Sequence, residues 1–280
     1  MTNTTQYQLL PFYQQWLEHQ PAGQNFCYDY SVRTGDGSQE QFTATIHLNT
    51  LAKDEAGRKG ILYNRILAPV NTVDPFLELA SVSGKCFYPV QLFQRDNEWE
   101  VGNREALIKN WLTIKERLLL EFEGPVAAMV LQQTETVLES PARLRKIYKE
   151  DLFLNLHFSL IDDRWTAASD REFSLPLIPG AEAVLFNGSQ TIKAVGADWV
   201  EMSIDATCID PRTYGALFYG KDTGETAVRN ELSVQGFLKG LYKLDPAVYC
   251  IRKIDANIEL GEPGGATRSW QIKINTCNDE

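Results

Sequence analysis

The feature that most constrains this chain is a change in the period of its apolar residues. From Asn103 to Glu150 they recur every three or four positions, and on either side they alternate every second position. A period near 3.6 buries one stripe of a helix, whereas a period of two buries one face of a strand. The expected class is therefore α+β: a largely antiparallel sheet in two strand-rich halves flanking a central cluster of two to three helices. A curved sheet or half-barrel is one form this arrangement can take. The expected division is 1–150, with an N-terminal helix, antiparallel strands and the central helices, and 151–280, a mostly β half on the same core or part of one single domain.

Within the helical stretch Leu107, Trp111, Ile114, Leu118 and Phe122 form one stripe, with Lys109, Asn110, Thr113, Glu116, Arg117 and Glu121 elsewhere. Asn103 is placed to cap this helix, Glu105 suits the positive end of its dipole, and Gly124-Pro125 ends it. A second helix is expected over Val126–Leu138. A third is expected to start at Ser140-Pro141 and to carry Leu144, Ile147 and Tyr148 on one face.

Phe26, Tyr28, Tyr30 and Val32, then Phe42, Ala44, Ile46 and Leu48, alternate with polar residues across the turn Thr34-Gly35-Asp36-Gly37-Ser38. That pattern predicts an antiparallel hairpin. Further strands are expected at 60–68, 85–94, 98–101, 183–186, 199–208, 216–219, 231–238, 248–260 and 270–276. One more begins at Leu152, with Leu154, Leu156, Phe158 and Leu160 on one face and His157 on the other. At the N-terminus Tyr7–His19 has helical spacing and is expected to be a helix docked on its own domain, or else a partner-binding arm, and its unusual aromatic weight nominates Phe12, Tyr13 and Trp16 as partner-binding residues.

No complete reactive constellation is present, so no catalytic, cofactor-binding or metal-binding residue is assigned and no cofactor is expected. Gly215 to Lys221 satisfies G-x-x-x-x-G-K, but Asp222 stands where Ser or Thr must hold magnesium, and the segment is expected to be strand and turn. The three histidines, His19, His47 and His157, lack metal-ligand spacing and are expected on polar surfaces. Glu201 and Asp205 share a strand face at ~13 Å, too far apart for an acid/base pair separated by ~5–9.5 Å. Asp162-Asp163 beside Trp165 is a candidate for sugar or cation contact and is expected instead to be a polar turn after a strand.

The five cysteines, Cys27, Cys86, Cys208, Cys250 and Cys277, contain no close pair and are expected to be scattered reduced thiols. A formal charge of −10 argues against nucleic acid and anionic membrane surfaces and is compatible with a basic protein partner. No apolar run reaches the ~18 residues of a membrane span, and no basic leader precedes one, so the expected compartment is the cytoplasm. The functional expectation is a non-enzymatic protein-binding module of adaptor, chaperone-like or inhibitor and immunity type, acting through an acidic surface and apolar patches. The alternative is a small-molecule or lipid carrier, or an enzyme whose site is assembled from distant residues in the groove between sheet and helices. Oligomeric state is not encoded in any pattern of the chain.

Overall fold

The computed structural model describes residues 23–68, 75–95, 98–159, 170–196, 198–220, 233–245 and 250–277. Its strands are β1 (Gln24–Thr34), β2 (Gln39–Leu51), β3 (Gly60–Leu67), β4 (Val90–Arg95), β5 (Glu98–Val101), β6 (Asp170–Leu175), β7 (Val184–Val195), β8 (Val200–Cys208), β9 (Gln235–Asp245), β10 (Cys250–Gly261) and β11 (Thr267–Thr276). Helices are α1 (Pro75–Gly84), α2 (Arg104–Glu121), α3 (Pro125–Glu139), α4 (Pro141–Lys149), α5 (Leu152–Leu154), which continues as a π-helical turn over Asn155–Ser159, and α6 (Tyr214–Tyr219). The strands form one antiparallel sheet in the order β5-β4-β3-β2-β1-β11-β10-β9-β8-β7-β6, and it is not closed into a barrel. The class is α+β, as the change of period predicts.

The described residues group into two compact units, the first within 28–42 and 150–276 and the second within 23–27, 43–149 and 277. In the first unit the period of two is clearest at the centre of the sheet, between bulges at Ile251–Lys253 of β10 and Ile192–Ala194 of β7. Ile254, Ala256 and Ile258 of β10 lie opposite Ile274, Ile272 and Trp270 of β11, and opposite Tyr242, Gly240 and Leu238 of β9. All but Gly240 are buried hydrophobic residues. Neighbours of odd number face the other way and carry charge: Lys239 stands opposite Asp205 and Lys243 opposite Glu201. The two carboxylates noted in the sequence thus each face a lysine across the strand pair, which is the pairing an exposed sheet face favours. The hairpin turn closes as expected, with the Thr34 amide on the Ser38 carbonyl at 3.0 Å and Gly37 at φ 87°, where a side chain would be strained.

Two segments differ from the strand expectation in this unit. Residues 152–159 are helical: Phe153, Leu154, Leu156, His157 and Phe158 are all buried, and Asp151 caps the turn by accepting from the Leu154 amide at 3.0 Å. Phe153 interrupts the apparent alternation, and a short run this rich in apolar residues suits a buried helix as well as a strand. Residues 214–219 are also helical, with Thr213 accepting from the Ala216 amide at 3.1 Å and Gly220 in the left-handed conformation at the far end. These are a start signal and a stop signal that a six-residue apolar run conceals.

In the second unit Leu107, Trp111 and Leu118 of α2 are buried as the stripe requires, while Ile114 and Phe122 are half-buried. Asn103 occupies the N-cap position, yet its side chain does not cap the helix. It accepts from the Gln91 amide at 2.8 Å and donates to the Pro89 carbonyl at 3.0 Å, fastening the start of α2 to β4. Gly124, at φ 97°, makes the corner between α2 and α3, and Ser140 accepts from the Arg143 amide at 3.3 Å to start α4. Residues 85–87 form a 3₁₀ turn before β4, where a strand was expected. No helix among the described residues is long and apolar enough to cross a membrane.

Candidate functional site

Three helices of the second unit, α1, α2 and α3, pack on one another and leave large apolar side chains in solvent. On α2, Leu112 and Leu119 are seven residues apart and so share a side of the helix, one step round from the Trp111 and Leu118 stripe. Leu120 follows them and is 87% exposed. On α3, Val126 and Met129 are exposed, whereas Ala127, Leu131, Thr134 and Leu138 are buried. On α1, Phe76 and Leu77 are exposed over the buried Leu79 and Ser83. Isolated surface leucines are ordinary, but seven such exposed side chains on three mutually packed helices are a concentration of the kind an apolar partner uses.

The helices are tied so that this surface is held firmly. Arg104, at the first turn of α2, donates to the carbonyls of Leu138 at 2.7 Å and Glu139 at 2.5 Å, satisfying two acceptors at the open end of α3. Between the same helices Glu135 accepts from Lys115 at 2.5 Å and from the Trp111 indole at 3.4 Å. The lysine's hydrogen bond holds the Glu135 carboxyl below its ordinary range, with a smaller contribution from the indole. Arg117 and Glu121 pair along α2 at 3.4 Å. Sequence reasoning missed the leucines because it looked for the buried stripe. Their signal was present, since Leu112, Leu119 and Leu120 stand on positions that an amphipathic helix gives to polar residues.

Phe12, Tyr13 and Trp16 lie outside the described residues, as do His19, Asp162, Asp163, Trp165 and Lys221. The part of the phosphate-loop pattern that is described gives no loop: Gly215 to Tyr219 are helical, and Thr213 takes the Ala216 and Leu217 amides, where a phosphate cradle needs a loop ahead of the helix. Among the described residues no three His, Cys, Asp or Glu side chains gather as metal ligands do.

His157 corrects the expectation of a solvated imidazole. It is fully buried, its ring stacked on Phe153 at 5.3 Å and met edge-on by Phe158 at 4.6 Å. Burial lowers its pKa to about 3, so it is neutral in the folded chain at physiological pH and unsuited to general acid work. An unfolded histidine takes up its proton near pH ~6.5 and the folded one does not until near 3, so this group's contribution is complete above ~6.5 and declines as pH falls. The expected slope is about 1.4 kcal/mol per pH unit below ~6. Urea unfolding at pH 7 and pH 5 should show His157→Leu losing about 2 kcal/mol less than the native chain. Equal losses would remove the histidine from the acid response.

The cysteines are likewise only partly as expected. Cys86 and Cys250 are buried thiols, and burial pushes Cys86 up to about 12, while the half-buried Cys208 is also raised by burial. Cys27 and Cys277, however, are joined in a disulfide with Cα atoms 5.6 Å apart. They are 250 residues apart in sequence, and spacing alone cannot reveal such a pair. His47, on the polar side of β2, hydrogen-bonds through Nδ1 to the Asn25 side chain at 2.5 Å. No protein-family model and no curated protein sequence matches this chain.

Proposed function

We propose that the protein is a non-enzymatic binding module whose partner is another protein. The observation that supports this reading is the exposed apolar set on α1, α2 and α3, carried on helices locked together by Arg104 and by the Lys115–Glu135 pair. A partner with an apolar centre and a basic surround suits it, because the chain carries a net charge of −10 that steers cations toward it. Phe12, Tyr13 and Trp16 are the further contacts proposed on the N-terminal segment. The proposed compartment is the cytoplasm. Alkylation of the chain denatured directly from its cell tests this: five reactive thiols are expected in the cytoplasm, and three, with Cys27 and Cys277 joined, would place the chain in an oxidising compartment instead.

The experiment that tests the function replaces Leu112, Leu119 and Leu120 with serine together. Because these side chains are exposed, the unfolding midpoint should move by no more than about 0.5 kcal/mol per site. Partners retained by the native chain, measured by quantitative mass spectrometry of captured proteins, should fall at least tenfold. An unchanged partner set with an unchanged fold would refute the assignment.

A further inference from the structure

The face of the first unit's sheet that points away from its apolar layer holds a cavity of about 300 Å³. Arg33 of β1, Gln39 of β2, Phe237 of β9, Asn257 and Glu259 of β10 and Gln271 of β11 line it. The register gathers them: Asn257 is opposite Gln271, and Glu259 is opposite Phe237 on one side and Ser269 on the other. Arg33 donates to the Gln39 side-chain oxygen at 3.3 Å, which aims the two groups together. Two hydroxyls, of Ser31 and Ser269, complete the polar lining.

We infer that this cavity binds a neutral saccharide. Its volume lies at the small end of the ~300–1,000 Å³ usual for ligand sites. The single guanidinium and single carboxylate offset each other, so the lining offers no net charge to an ionic ligand. Three carboxamides, the guanidinium, the carboxylate and two hydroxyls offer donors and acceptors side by side, matching vicinal sugar hydroxyls that each donate and accept. Phe237 gives an apolar wall for the C–H face of a sugar ring, on the side of its ring not taken by the Lys239 ammonium, which lies over it at 5.4 Å. An extended peptide is poorly served here. The strands beneath the cavity lie inside the sheet order, where their backbone groups are already paired, and strand addition requires an open edge.

The test titrates the full ¹⁵N-labelled chain with neutral trisaccharides built from glucose, galactose, mannose or N-acetylglucosamine, and with one containing glucuronic acid. A neutral trisaccharide should bind saturably and shift the side-chain amide signals of Asn257 and Gln271. Asn257→Ala and Gln271→Ala, both at exposed positions, should each weaken binding about tenfold with the unfolding midpoint unchanged. Glu201→Gln, on β8 away from the cavity, should bind as the native chain does. Three results overturn the inference: no saturable binding by any neutral member, tighter binding of the acidic trisaccharide, or undiminished binding by both alanine variants.

Discussion

Replacing Trp111 with alanine is expected to lower the unfolding free energy by ~3–5 kcal/mol, the loss typical of a large buried aromatic. Trp111 is 2% exposed and belongs to the stripe it shares with Leu107 and Leu118. Its indole N–H also donates to Glu135, which Lys115 holds in place, so truncation opens a cavity and removes one tie between α2 and α3. Trp111→Phe keeps most of the ring and loses only that hydrogen bond and some volume, and should cost about 1–2 kcal/mol. The check is urea unfolding followed by far-UV circular dichroism, because the substitution removes a fluorophore. A midpoint unchanged by Trp111→Ala would mean that the stripe does not carry the packing of these helices.

Asp210→Ala should be comparably damaging, at ~3–5 kcal/mol, because it strands a guanidinium against main-chain carbonyls. The Asp210 carboxylate, 1% exposed, accepts from the Leu185 amide at 3.2 Å and from Arg212 at its amide (3.1 Å), Nε (2.7 Å) and Nη2 (2.5 Å). Arg212 in turn donates to the carbonyls of Glu182 and Ala183, so one ion pair fastens the start of β7 to the loop that leads into α6. Burial alone would raise the Asp210 carboxyl, and the hydrogen bonds and charge of Arg212 outweigh it, leaving it below the ordinary range. Asp210→Asn retains an acceptor and should lose less, about 1–3 kcal/mol. If the alanine variant unfolds within about 0.5 kcal/mol of the native chain, the clamp is not a structural tie.

Those two sites show what kind of structure the sequence discloses. Trp111 was legible because its stripe repeats over four turns, as were β1, β2, β8, β10 and β11, each of which holds a run of alternating residues within a long strand. The Asp210–Arg212 clamp was not legible, since its worth depends on main-chain groups some 25–30 residues earlier in the chain. Segments 152–159 and 214–219 were misread for a different reason. Each is short and rich in apolar residues, so period cannot separate strand from helix, and only the capping residues Asp151, Thr213 and Gly220 mark the difference. Helix α1 went unread, although Pro75 at its first position and Glu78 in its first turn are start signals. The candidate surface is illegible for a related reason: Leu112, Leu119 and Leu120 lie off the buried Leu107, Trp111 and Leu118 stripe, where apolar side chains carry no periodic signal of their own.

Amide hydrogen exchange of the chain, alone and bound to a protein captured by it, tests the central claim most directly. If the helices are the docking surface, binding should slow exchange across α1, α2 and α3 and in residues 1–20, and leave β8 to β11 unchanged. Slowed exchange confined to β8 to β11, with α1 to α3 exchanging as in the free chain, would contradict a helix-mounted binding surface.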